Sequence, residues 1–214
     1  MIKGYGYCLL GYWLSIQSPV LLSQTDTTMI NVALAENGAS VSASDYMRGN
    51  EPDQLIDGVT NHSVANRWHS DPGVQHPHRL TFSLPQAFTI KSIVLQATVP
   101  NCFPTRLRIL YSGSDKILKE LPVRTIQPEM TVTMDLDPIV ADQIQIELLE
   151  SSNLSAPQYS QLNEIEIWAQ VTPEQKTRLD AWKQKTQEAL RQAKLNELYM
   201  VPSLEPDYHC IQLG

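Results

Sequence analysis

Leu55-Ile-Asp57-Gly58-Val-Thr60-Asn-His-Ser-Val-Ala-Asn66-Arg67-Trp68-His69-Ser70 is the stretch on which the fold turns. An apolar pair runs into Asp57-Gly58, where glycine permits positive φ and the aspartate carboxylate can accept from its own loop amides. A polar loop follows, and Trp68 supplies a large ring to pack beneath it. A loop anchored at both ends in this way belongs to a sheet protein.

Working outward, the apolar residues from Asn31 to Val171 mostly alternate, which is the period of half-buried strands. Leu80, Phe82 and Leu84 share one face. Val132, Met134 and Leu136 share another, Ile144, Ile146 and Leu148 a third, and Ile165 and Ile167 close the series. Breaks such as Asp71-Pro-Gly, Val99-Pro-Asn, Ser112-Gly-Ser-Asp and Asp137-Pro separate the runs. The pattern predicts an all-β fold, an antiparallel sandwich of about eight strands.

The period changes at Thr172. Thr172-Pro-Glu-Gln175 reads as a capping box with proline at the first helical position, and no glycine or proline interrupts the chain before Pro202. One C-terminal α-helix is expected over residues 172–200. Its apolar stripe is thin, so it either docks through Leu179 and Trp182 on a neighbour, making a protein contact, or acts as a spacer. Residues 201–214 read as a linker or truncated tail. At the other end, residues 1–25 combine Lys3, an apolar run from Tyr5 to Ile16 and a small residue at Ser23. This outline fits a secretory signal peptide and a secreted or cell-envelope protein; an apolar N-terminal strand is the alternative.

The formal charge of −7 argues against a nucleic-acid groove, because phosphate binding needs a basic face. Three cysteines, Cys8, Cys102 and Cys210, do not make a disulfide framework; free thiols are expected, with a Cys102–Cys210 pair as the alternative. There is no Gly-x-Ser-x-Gly elbow, phosphate loop or dinucleotide glycine pattern, so no catalytic residue is assigned.

Asn31-Val-Ala-Leu-Ala, Ala39-Ser-Val-Ser-Ala-Ser, the Leu55-Ile-Asp-Gly loop with Arg67-Trp-His-Ser, and the strands Arg79–Leu84, Phe88–Leu95, Arg108–Ser112 and Asn163–Trp168 occur in a characteristic order. That order resembles a discoidin (coagulation factor 5/8 type C) domain, the galactose-binding-like jelly roll shared with many carbohydrate-binding modules. The resemblance covers about residues 26–171 and implies a non-catalytic module with ligand loops at one end. The ligand would be a glycan or another extracellular partner, including a protein. An accessory domain of a larger carbohydrate-active enzyme and a structural or assembly subunit are the alternatives.

The resemblance also implies site residues. In members that hold structural Ca²⁺, the Asp-Gly loop meets a glutamate of the closing strand. Carried over, Asp57 and Glu164 with the carbonyls of Leu55 and Thr60 would supply the hard oxygen shell. The alternative is an Asp57 that only caps its turn. For a glycan, the corresponding loops carry His69 and His76 in one region and Asn101, Phe103 and Arg106 in another. Galactose binders have an arginine ahead of the asparagine, where this chain has Val99-Pro100. Lipid binding ranks lower, since Phe103 is the one good apolar spike and the net charge is negative. From spacing alone, His69, Asp71, His76 and His78 offer a zinc edge, against ordinary loop and strand-entry roles.

Overall fold

The computed structural model describes residues 26–199, with side chains through 194; the leader and tail expectations, Cys8 and Cys210 lie outside them. The strands are β1 (Thr28–Asn31), β2 (Ser40–Ala43), β3 (Trp68–His69), β4 (His78–Gln96), β5 (Pro104–Ser112), β6 (Lys119–Glu120), β7 (Arg124–Thr125), β8 (Thr131–Ser151), β9 (Gln161–Leu162) and β10 (Glu164–Val171). One helix, α1 (Pro173–Tyr199), follows. All strand pairs are antiparallel.

The two long strands organise the sandwich. β4 and β8 pair from His78↔Leu148 to Gln96↔Thr131, with register shifts between Ser83 and Phe88 and between Ile90 and Ser92. Pro85 and Pro138 fall in these shifts, where a missing backbone donor does least harm. The paired strands bend there and pass from one layer into the other. The first segment of β4 extends into β2 and the last segment of β8 into β5, while the last segment of β4 extends into β10 and then β1.

The alternation seen in the sequence fills the space between layers. Leu80, Phe82, Phe88, Ile90, Ile93 and Leu95 of β4 meet Ile144, Ile146 and Leu148 of β8, Leu107 and Ile109 of β5, and Ile165 and Ile167 of β10, all fully buried. Truncating one such side chain to alanine costs roughly 2–5 kcal/mol. Trp68 is also fully buried and donates its indole N–H to the Asp45 carbonyl at 3.3 Å.

The start of α1 carries the reciprocal cap its sequence predicts. The Thr172 N–H donates to Gln175 Oε1 (3.0 Å) and the Gln175 N–H to Thr172 Oγ1 (3.3 Å). Gln175 also donates to the Ala87 carbonyl at 3.1 Å, fastening the first turn to the bend of β4. Leu179 is buried in the core of its own sandwich, Trp182 lies against Gly38, and Lys183 pairs with Glu36 at 2.6 Å. Leu179 is thus spent within the chain rather than on a partner. Beyond Lys183 nearly every described side chain is exposed. Among the described residues no helix is long and apolar enough to cross a membrane.

Candidate functional site

One end of the sandwich gathers loops from distant parts of the chain. The Met47 N–H donates to the His69 carbonyl, Ser70 to the Ser160 carbonyl and Ser152 to the Phe103 carbonyl, all within 2.8–3.0 Å. His62 Nδ1 lies 2.6 Å from the Ala97 carbonyl oxygen, and the His62 N–H donates to Asn163 Oδ1 at 2.9 Å. The Trp68 loop, the loop after β4 and the loop after β8 therefore share one rim.

At its centre β3 and β9 form a two-stranded ribbon with the register Trp68↔Leu162 and His69↔Gln161. Trp68 and Leu162 face the core. Strand alternation turns Arg67, His69 and Gln161 to the opposite face. There the His69 and Tyr159 rings meet edge to face, 5.4 Å between centroids. His69 Nδ1 lies 2.5 Å from the Ser70 carbonyl oxygen, so that nitrogen carries the proton and Nε2 keeps its lone pair. Burial, helped by the charges of Arg67 and His78, holds His69 below the usual histidine range.

His76 and His78 serve the neighbouring loop. His76 places one ring nitrogen on the Leu148 carbonyl and the other on the Pro157 carbonyl, both at 2.9 Å. His78, fully buried, sits between Asp45 Oδ2 (3.0 Å) and the Gln158 carbonyl (2.7 Å). Burial and then His78 push His76 below its ordinary pKa. At Asp45 burial pushes upward, but His78, Ser44 and the Asp71 amide outweigh it and the net shift is down. These ring nitrogens are committed to fastening the loop, which corrects the zinc reading: no metal-holding group of three such ligands occurs among the described residues.

The Asp57-Gly58 turn meets the start of β10. Gly58 has φ +80° and the Val59 N–H donates to Asp57 Oδ1 at 2.8 Å, the turn chemistry expected of Asp-Gly. The Gly58 N–H also donates to Glu164 Oε1 at 3.3 Å. Glu164 is 1% exposed, and its Oε2 is buried with no partner. Burial, followed by the Asp57 carboxylate, pushes Glu164 up to about 9. Two adjoining acids, one with an orphaned buried oxygen, form a donor set suited to a hard cation.

No protein-family model matches this sequence, and no curated protein matches it. Solved structures do match. The family 32 carbohydrate-binding module of Clostridium perfringens NanJ, in complex with galactose, superposes with a TM-score of 0.55 at 19% identity, over 66% of this chain and 99% of that one. The family 32 module of Streptococcus pneumoniae EndoD gives 0.55 at 16% identity, over 65% and 99%. Chitosan-binding module 1 from a chitosanase/glucanase of Paenibacillus sp. IK-5 gives 0.53 at 18%, over 65% and 98%. The fold is that of the carbohydrate-binding modules.

Within that sandwich the residues expected from sequence separate into groups. His69 and His76 lie at the loop-bearing rim, and Asp57 and Glu164 are brought together. Leu55 has a fully buried side chain and Thr60 is exposed beside the turn. Phe103 has no exposed surface and belongs to the core, because its loop is pinned by Ser152 Oγ, which accepts from the Phe103 N–H at 3.0 Å. Phe103 therefore leaves the ligand group, while Arg106 is exposed and pairs with Glu150 at 2.9 Å. Asn101 is exposed, with no contact placing it beside His69. Cys102 is buried and free, with the Asn153 amide 3.3 Å from its sulfur. Arg67, Tyr159 and Gln161 enter the site unannounced; the one signal was the alternation of Tyr159-Ser-Gln161-Leu162.

Proposed function

We propose that this protein is a non-catalytic carbohydrate-binding module whose ligand site is the outer face of the β3–β9 ribbon and the loop that follows β8. The observation that carries this reading is the His69–Tyr159 ring pair, set beside Arg67 and Gln161 at the loop-bearing rim of a fold shared with carbohydrate-binding modules. An aromatic ring meets the apolar face of a sugar, and fixed donors and acceptors meet its hydroxyls. The glycan would be met outside the cell or at its envelope.

The test is a glycan array followed by calorimetry on the whole chain. His69→Ala and Tyr159→Ala should each abolish binding without moving the melting temperature by more than a few degrees. A chain that binds no glycan on the array overturns the reading.

Ca²⁺ fits the second cluster. Asp57 and Glu164, with the carbonyls of Leu55 and Thr60, would hold it, and its charge would lock the Asp-Gly turn to β10. Its role is structural.

A second reading, contact with another protein, is favoured by one feature. α1 meets the sandwich through its first turns, and its described side chains beyond Lys183 are nearly all exposed, with Leu190 at 59%. This suits an accessory module joined to a larger enzyme or an assembly subunit. Co-purification that survives His69→Ala but fails on Leu190→Glu would support it.

A further inference from the structure

We propose that the β3–β9 face selects a sugar bearing a carboxylate, and that Arg67 is the residue that takes the carboxylate. The inference rests on the carbohydrate-binding reading and adds the ligand class.

Three arginines elsewhere on this sandwich pair with acids. Arg79 reaches Glu147 at 3.0 Å, Arg106 reaches Glu150 at 2.9 Å and Arg108 reaches Glu147 at 2.5 Å. Among the described residues Arg67, like Arg48 and Arg124, pairs with no acid, and it differs from those two in having a buried nitrogen without a partner. Its Nε is withdrawn from water without an acceptor while the rest of the side chain is only partly buried, and an anion arriving from outside would supply that acceptor.

The surroundings favour an anion on a sugar over a bare ion. Gln161 is 8% exposed and its side-chain carbonyl oxygen, also buried, has no partner. His69 keeps a free lone pair on Nε2, as its Nδ1 is committed to the Ser70 carbonyl. These are two acceptors waiting for hydroxyl donors, next to one cation waiting for an acceptor. The Tyr159 ring stands alongside for the C–H face of a pyranose. Asp45, an acid of the same rim, is taken by His78 and does not compete for Arg67. A carboxylate matches the guanidinium fork.

Uronic acids and sialic acids both present this group, and separate arms distinguish them. Calorimetry on the whole chain would compare galacturonate oligosaccharides, sialyllactose and neutral galacto-oligosaccharides at low and high salt. The expected result is binding of one acidic ligand about tenfold tighter than its neutral counterpart, with the advantage shrinking in salt. Arg67→Gln should remove the advantage and leave residual neutral binding, at unchanged melting temperature. If that variant does not fold, Arg67→Lys, which keeps the charge but loses the fork, should reduce the advantage instead. Equal affinity for acidic and neutral sugars, or an advantage that survives both substitutions, overturns this inference and leaves the carbohydrate-binding reading standing. Failure of every sugar to bind overturns both.

Discussion

Glu147 and Glu164 are buried to nearly the same depth, 3% and 1% exposed, in opposite surroundings. Glu147 accepts from Arg79, Gln145 and Arg108, with both oxygens occupied. Burial pushes its pKa upward, but the two arginines outweigh this and the net shift is down. Glu164 has one long bond from Gly58, a second acid beside it and an oxygen with no partner. A buried carboxylate whose donors come from its own chain is part of the architecture. One left without them is the place where we propose that Ca²⁺ completes the structure.

The largest effect expected from this contrast is on addition of Ca²⁺. Ion at a hundredfold excess over its dissociation constant should stabilise the fold by about 2.7 kcal/mol, read as a rise in melting temperature that chelator reverses. Glu164→Gln should abolish that response, while Glu147→Gln should leave it intact. A melting temperature indifferent to both ion and chelator breaks the comparison.

Next in size, Glu147→Ala should destabilise by about 2 kcal/mol, because several charge-assisted hydrogen bonds are lost, while the half-exposed arginines turn to water. Without Ca²⁺, Glu164→Gln should cost less than this or nothing, measured by denaturant midpoint, since the native glutamate already sits unsatisfied.

Gly38→Ala comes third, at roughly 1–2 kcal/mol. Gly38 has φ +86°, and an added Cβ would stand 3.0 Å from the Trp182 ring. The loss should appear as weaker protection of the first turns of α1 in hydrogen exchange, with the β-sheet amides unaffected.

The two acids also differ in the pH slope they impose. Glu164, raised to about 9, keeps a proton that the unfolded chain releases above 4.5, so without metal its contribution falls as pH rises through that window. Glu147 runs the other way: its contribution is present above 4.5 and lost as acid titrates the lowered group. His69 and His76, both lowered, add a loss below 6.5. Between pH 6.5 and 9 the slope among these four belongs to Glu164, and it should vanish in Glu164→Gln.

How much of this was legible in the sequence depended on the length of the elements. β4 and β8 are long enough to display their period, and the layers follow from it. The cap of α1 is local chemistry within four residues and could be read directly. Asp57 and Glu164 were reachable only through resemblance, since the fold alone joins residues 107 positions apart. Strands β3 and β9 have two residues each, too few for a period, and the residues beside them became a site only through the pairing of His69 with Gln161. Phe103 was misplaced for a related reason: a loop aromatic looks the same in sequence whether it faces solvent or core.

The bent pair β4 and β8 has a further consequence. Neither layer owns its strands outright, as one pair of strands, its ladder shifted in register at two bends, passes through both. Peeling the layers apart would tear that ladder at its bends, so heat or denaturant should melt the sandwich in a single concerted step, and damage beside Pro85 or Pro138 should be felt on both sides at once.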